Sequence, residues 1–221
     1  MQTPRVLVLS AKMGSNSHNK MVPQIGVDAK HIRLNDLNYP TRAKSMHPRL
    51  VGKVPKMLGW ELYPDYDYYV WVDGSFDIVN PNMVSSFLTL IQDKDLLLYS
   101  HPSRSCIWDE YEFCSVSMKS GNQYLLDRYE HENMETQYDL YLSNEDFVDD
   151  KLFAAGVFMY SKKLVENKEH NVMKEWFYHN CLYSVQDQLS LPYLLWKFNV
   201  SYNVIKEDIY LSKLIHDGTG S

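Results

Sequence analysis

The chain has 221 residues, 45% of them hydrophobic and 23% charged, which suits one soluble globular domain and excludes a disordered or fibrous chain. Its net charge of −6 argues against a protein that tracks nucleic-acid phosphate over a broad face. No apolar run approaches the ~20 residues of a membrane span, Met1 to Ser10 lacks a signal-peptide pattern, and Cys106, Cys114 and Cys181 have neither disulfide nor metal spacing, so the expected setting is the reducing cytoplasm.

Arg5 to Ala11 (RVLVLSA) reads as a first buried strand, followed by a polar loop with Gly14, Ser15, Asn16 and Ser17. AKHIRL, from Ala29 to Leu34, is a second strand. Residues 48 to 60 space their apolar side chains helically, with Pro55 a blemish. Tyr68 to Val72 is the next strand. A helix is expected from Pro81 to Gln92, with Asn80 as its N-cap and proline at its first position. DLLLYS, from Asp95 to Ser100, is a short buried strand, and Lys119 to His131 reads as a helix. LFAAGVFMYS, from Leu152 to Ser161, is a strand interrupted by Gly156. Helices over Val165 to Cys181 and Val185 to Trp196 and a final strand in NVSYNVI complete the chain.

Strands alternating with helices predict a single α/β domain over residues 1–221, a mainly parallel sheet flanked by helices on both faces. Ligands of such sheets bind beyond the carboxyl ends of the strands. That rule puts VDGSFD, just past the Tyr68–Val72 strand, at the rim of a pocket.

Asp73, Ser75 and Asp77 form a D-x-S-x-D arrangement there. Carboxylates this close repel unless a cation lies between them, and a hard divalent ion such as Mg²⁺ or Mn²⁺ would accept their oxygens and keep positions for a diphosphate and water. Gly74 would let the backbone turn and approach a ligand. An ordinary strand-to-turn junction also accounts for Asp, Gly and Ser. Charge is unevenly spread elsewhere. Arg42, Lys44, Arg49, Lys53 and Lys56 form a basic run without an acid, suited to neutralising a diphosphate or to an exposed helix face. Arg49 reads as exposed face, whereas Lys56, between Pro55 and the apolar MLGW, reads as restrained. From Asp127 to Asp150 nine acids surround the single Arg128, which reads as a solvated face.

HPSRSCIWDEYEFC, from His101 to Cys114, follows a strand and gathers His101, Arg104, Asp109 and Glu110 beside Trp108. Arg104 suits an anion or a sugar hydroxyl, and His101 suits acid–base work or plain loop hydrogen bonding. Gly156 would permit close approach of a ligand or another backbone, or mark a bulge. In SVQDQLSLPYLLW, Ser184 and Asp187 have the spacing of a capping box. Alternatively, Asp187 and Gln188 are held at a helix N-terminus as a base and a sugar contact. The chain has no G-x-S-x-G, P-loop or G-x-G-x-x-G.

In chain order, TRAKSMHPRL, KVPKMLGWELYPDYDYYVWVDGSFDI, HPSRSCIWDEYEF, FAAGVFMYSKK and EWFYHNCLYSVQDQLSLPYLL resemble nucleotide-sugar glycosyltransferases of the single-domain GT-A type. Among these the chain resembles a family known mainly as an uncharacterised domain of bacteria and plants, and the resemblance admits a phage DNA-modifying member. The resemblance implies a divalent metal, Mn²⁺ or Mg²⁺, on the donor diphosphate, held by Asp73 with Ser75 or Asp77. It departs from that pattern in having D-G-S for D-x-D and Gln186 for an arginine before D-Q-L-S. His216 in LIHDG is the candidate for a late metal-binding histidine.

The resulting expectation is transfer of a sugar from a nucleoside-diphosphate sugar to a hydroxyl acceptor, either a saccharide or a hydroxymethylated base of phage DNA. Arg42, Lys44, Lys56, Asp73, Gly74, Ser75 and Gly156 would bind the donor, and His101, Arg104 and Gln188 the acceptor or sugar. Asp187 would be the base of an inverting reaction or the stabiliser of a retaining one. A non-catalytic sugar or nucleotide binder with the same fold is the alternative, and a hydrolase built on Asp and Glu pairs a weaker third.

Overall fold

The aliphatic and β-branched runs become the strands of one sheet, because their alternate side chains find a core on each face. The computed structural model describes residues 3–39, 46–167 and 171–217, with the backbone alone for His216 and Asp217. Six strands, β1 (Arg5–Lys12), β2 (Asp28–Asn35), β3 (Tyr68–Asp73), β5 (Leu96–Ser100), β6 (Phe153–Ser161) and β7 (Tyr202–Ile205), lie in the order β2-β1-β3-β6-β5-β7. The β1–β2, β1–β3 and β5–β7 pairs are parallel, whereas β6 runs antiparallel to both neighbours. The mainly parallel sheet is thus as expected, with one reversed strand. A small ribbon, β4 (Phe76–Asp77) with β8 (His216–Asp217), pairs antiparallel beside it.

Leu7, Leu9, Tyr69, Trp71, Leu96 and Leu98 face one core. The intervening Val6, Val8, Val70, Val72, Leu97 and Tyr99 face the other. The first core is covered by side chains from α1 (Pro48–Leu62), α3 (Ile107–Lys119), α4 (Gln123–Tyr129), α5 (Met134–Leu142), α7 (Val172–Leu182) and α8 (Asp187–Lys197). The second is closed by α2 (Met83–Ile91), with Phe76, Ile78, Ile209 and Ile215. Among the described residues no helix is long and apolar enough to cross a membrane.

Several boundaries differ from the sequence reading. The helix expected at Pro81 begins at Met83, because Asn80 Oδ1 accepts from Asn82 N (2.8 Å) and makes a turn instead of a cap. Lys119–His131 is not one helix. α3 ends at Lys119, and Gly121 takes a left-handed φ of 83° before Asn122 caps α4. Val165–Cys181 divides into α6 (Lys162–Glu166) and α7, the latter capped by Asn171, whose Oδ1 accepts from Lys174 N at 3.1 Å. Pro55 sits inside α1, and the break comes at Leu58, which leaves helical φ/ψ.

Candidate active site

The chain leaves β1 for β2 on one side and later returns through β3 on the other, so the sheet has its switch point between β1 and β3. Side chains at the carboxyl ends of those two strands face a crevice there. Ala11 and Asp73 are paired in register at that rim. A cavity of 720 Å³ opens beside them, lined among others by Lys12, His18, Lys20, Arg49, Asp73 and Asp77. A second lobe of 580 Å³ adjoins it, lined by His101, Arg104, Glu110, Gly156, Asp187 and Gln188 among others. Asp73 and Ser75 border both.

Asp73 ends β3 with its carboxylate 39% exposed. Its Oδ1 accepts from Trp71 Nε1 (2.6 Å) and Lys56 Nζ (3.3 Å). Its Oδ2 has no hydrogen-bond partner among the described residues and faces Gly156, where a Cβ would lie 3.5 Å away. Gly74 is needed for approach to the protein's own backbone, since a Cβ there would lie 2.6 Å from the Ala11 carbonyl oxygen. The turn of Gly74 and Ser75 then leads into β4, and Ser75 is exposed. Asp77 Oδ1 accepts from Lys20 N at 2.7 Å, and its backbone pairs with His216.

These donors fit a hard divalent cation. Asp73 Oδ2 is unpartnered, the Ser75 hydroxyl is accessible, and Asp77 borders the same lobe. Among the described residues no group of three His, Cys, Asp or Glu is placed to hold a metal ion. A cation held here would have one or two protein carboxylates, with substrate phosphate and water completing its shell.

Behind the rim lies a buried charge cluster that joins three distant segments. Asp187 Oδ2 accepts from Lys53 Nζ at 2.5 Å and lies 2.6 Å from Lys56 Nζ, while Lys56 also reaches Asp73. Lys53 and Lys56 share the inner face of α1, three positions apart. Burial alone would raise the Asp187 carboxyl, but the charges of Lys53 and Lys56 overturn that and hold it down at about 2. For Lys56, burial opposes the charge, yet Asp187 and Asp73 prevail and raise its pKa. Lys53 goes the other way, lowered chiefly by burial and further by Lys56. With Asp73 the cluster pairs two ammoniums with two carboxylates.

The capping box is not formed. α8 starts at Asp187 itself, Ser184 Oγ accepts from Gln186 N at 3.0 Å, and the Asp187 carboxylate is directed to the lysines. Asp187 stands at the helix start with its carboxylate fixed by the two lysines. Gln186 and Gln188 hold the second lobe together. Gln186 Nε2 donates to Glu110 and to Gln188 Oε1 (3.1 Å), and Gln188 Nε2 donates to the Phe153 carbonyl (3.1 Å).

Arg104 pairs through Nε with buried Glu110 and places Nη2 3.1 Å from His101 Nε2. His101 Nδ1 accepts from the Ser103 and Arg104 amides at 3.3 and 3.0 Å. Burial and then Arg104 lower its imidazole to about 4, so it is neutral at ordinary pH. The loop hydrogen-bonding reading of His101 therefore holds alongside its place in the lobe. Cys114, also in this wall, is pushed up to about 12 by burial and Glu110, which leaves no thiolate to act as a nucleophile.

Gly156 lies in an irregularity. Leu98 pairs with Phe158, but the next residue, Tyr99, pairs with Ala154, so β6 carries extra residues where the lobe opens. The close approach at Gly156 is by Phe76, whose Cε2 would lie 2.7 Å from a Cβ.

Lys56, Asp73, Gly74, Ser75 and Asp77 thus share the first lobe, and Gly156, Asp187, His101, Arg104 and Gln188 the second. Arg42, Lys44 and the His216 side chain lie outside the described residues. One expectation changes, since Arg49 borders both lobes; of the two readings open for Lys53, the exposed face is not the one observed. The sequence reading also passed over Arg128, which sits at the junction of the lobes. Leu125, Arg128 and Tyr129 have the spacing of one helix face, but the acids around Arg128 mask that pattern in the sequence.

Residues 13–213 match the TOD1/MUCI70 glycosyltransferase-like domain, and the chain belongs to that family. No curated protein has a matching sequence. Among solved structures, a glycosyltransferase involved in glycosylation of the major capsid of PBCV-1 aligns with a TM-score of 0.46 at 10% identity, covering 92% of this chain and 82% of its own. Mouse xyloside xylosyltransferase 1 aligns at 0.45 and 6% identity, covering 91% and 84%. The bifunctional glycosyltransferase WbbM aligns at 0.46 and 13% identity, covering 91% of this chain and 39% of its own.

Proposed function

We propose that the protein is a metal-dependent glycosyltransferase of the GT-A kind, transferring a sugar from a nucleoside-diphosphate donor to a saccharide hydroxyl. Family membership supports glycosyl transfer. The observation that carries the finer reading is Asp73, which ends a central strand with Oδ2 unpartnered in a lobe where cationic side chains outnumber acidic ones.

Asp73, with Ser75 and Asp77, would hold Mg²⁺ or Mn²⁺, which supplies electrostatic stabilisation to a departing diphosphate. The chain's own groups do the rest. Lys56, raised in pKa and 3% exposed, keeps a fixed positive charge behind Asp73 and orients its carboxylate. Asp187 holds the two lysines in place. A carboxyl at about 2 is a poor proton acceptor near neutral pH, so Asp187 acts as an ionised stabiliser and positioning group rather than the base. His101, Arg104 and Gln188 line the lobe in which the sugar and acceptor would meet.

The test is a panel of nucleoside-diphosphate sugars with Mn²⁺, read by melting temperature and by transfer to saccharide acceptors. A metal-dependent rise with one donor, followed by transfer, is expected. Turnover on hydroxymethylated duplex DNA alone would reassign the acceptor. Donor binding without turnover on any acceptor would make the protein a binder, and no response to any donor would refute the reading.

A further inference from the structure

Leaving aside Lys12 and Lys20, which are exposed, three of the five lysine and arginine side chains of the cleft among the described residues are spoken for. Lys53 pairs with Asp187, Lys56 with Asp187 and Asp73, and Arg104 with Glu110. Two guanidiniums are not. Neither Arg49 nor Arg128 has a carboxylate within 4.0 Å among the described residues, and both are only partly exposed.

Their position is specific. Arg49 comes from the first turn of α1 and Arg128 from the last turn of α4, and both border both lobes. Only Lys53, Asp73 and Ser75 share that property among the lining residues. The Arg128 guanidinium carbon lies 3.4 Å from the centre of the Tyr124 ring and the group also hydrogen-bonds the Tyr129 side chain, so the fork is held by stacking and by that bond while no carboxylate among the described residues neutralises it. Two like charges converging without a counter-ion repel. Burial and the charge of Arg49 both lower the Arg128 pKa, so an anion between the two would relieve the repulsion.

We propose that Arg49 and Arg128 form a two-guanidinium clamp for the diphosphate of the donor, at the wall where the two lobes meet; the identity of the anion rests on the donor reading above. In a nucleoside-diphosphate sugar the diphosphate links the nucleoside to the sugar. A donor laid across two lobes therefore puts its diphosphate at the shared wall. Each guanidinium presents paired N–H donors that match phosphate oxygens, and Asp73 and Ser75 lie on the same wall. As the acceptor oxygen bonds to the anomeric carbon and its proton passes to the diphosphate or to water, the bond from that carbon to the diphosphate oxygen breaks, the electron pair stays on the departing diphosphate, and the clamp neutralises that charge.

The experiment is calorimetric titration of inorganic pyrophosphate into the full chain in metal-free buffer, for the unaltered protein and for Arg49→Gln, Arg128→Gln and Arg128→Lys, with thermal melts as fold controls. The unaltered protein should bind pyrophosphate, each glutamine variant should bind at least tenfold more weakly, and Arg128→Lys should recover only part of the loss, because lysine keeps the charge without the fork. No pyrophosphate binding by the unaltered protein, or equal affinity in both folded glutamine variants, overturns the clamp. Arginine-dependent pyrophosphate binding with no response to any nucleoside-diphosphate sugar keeps the anion site and refutes the donor reading. Sugar transfer with the donor KM unmoved in both variants keeps the donor reading and refutes the clamp.

Discussion

Asp187→Asn removes the anion that holds two buried lysines together, and the structure sets the size of the effect. The carboxyl is lowered from 3.8 to about 2. A drop of roughly 2 units corresponds to about 2–3 kcal/mol of native-state stabilisation of the ionised form. The substitution also leaves Lys53 and Lys56, with side chains 15% and 3% exposed, short of a partner. Stranding a buried charge in this way costs about 3–5 kcal/mol, so Asp187→Asn should lose about that much at pH 7. Because the folded pKa is depressed, the stabilisation is complete above the unfolded value and is lost as pH falls toward 2. The gap between the two proteins should therefore narrow between pH 4 and pH 2. Urea denaturation across that range measures it. A gap under about 1 kcal/mol at pH 7, or one that stays constant down to pH 2, would refute the assigned pairing.

Other expectations follow from the same geometry. His101 should remain neutral through pH 5, with its ring signals titrating near 4 in NMR spectra; a midpoint near 6.5 would mean that burial and Arg104 do not act on it as described. Gly74→Ala should destabilise by about 3 kcal/mol and Gly156→Ala by about 1–2 kcal/mol, since the first Cβ meets the Ala11 carbonyl and the Lys12 Cβ, whereas the second meets only the edge of the Phe76 ring that closely. Thermal melts that rank the two in the opposite order would contradict this. Lys53→Met and Asp187→Asn should couple in a double-mutant cycle, the double variant losing less than the sum of the singles. Additive losses would show that the 2.5 Å contact carries no energy.

The sheet was legible because its strands are buried on both faces and read as apolar runs: RVLVLSA, YYVWV and DLLLYS needed no partner to be recognised. α3 and α5 were not. α3 buries Glu110 and Cys114 and exposes Trp108, Phe113 and Val116, so its periodicity is masked. α5 lies in an acidic, tyrosine-rich stretch that reads as surface, although Met134, Gln137 and Tyr141 are buried. Asp73 was legible from its place after a strand. The cluster around Asp187 was not, because Lys53 and Asp187 are 134 residues apart and Ser184–Asp187 imitates a capping box. Arg128 was hidden by the acids around it, since a charge run speaks of average exposure and not of where one side chain points.

The account stands on Asp73 serving a cation rather than merely ending a strand. Mn²⁺ binding measured by electron paramagnetic resonance, with nucleoside diphosphate present, compares the unaltered chain with Asp73→Asn. The unaltered chain should take up Mn²⁺ far more tightly with the nucleotide than without it, and Asp73→Asn, still folded, should lose at least tenfold of that affinity. Equal Mn²⁺ uptake by the two proteins would contradict the account.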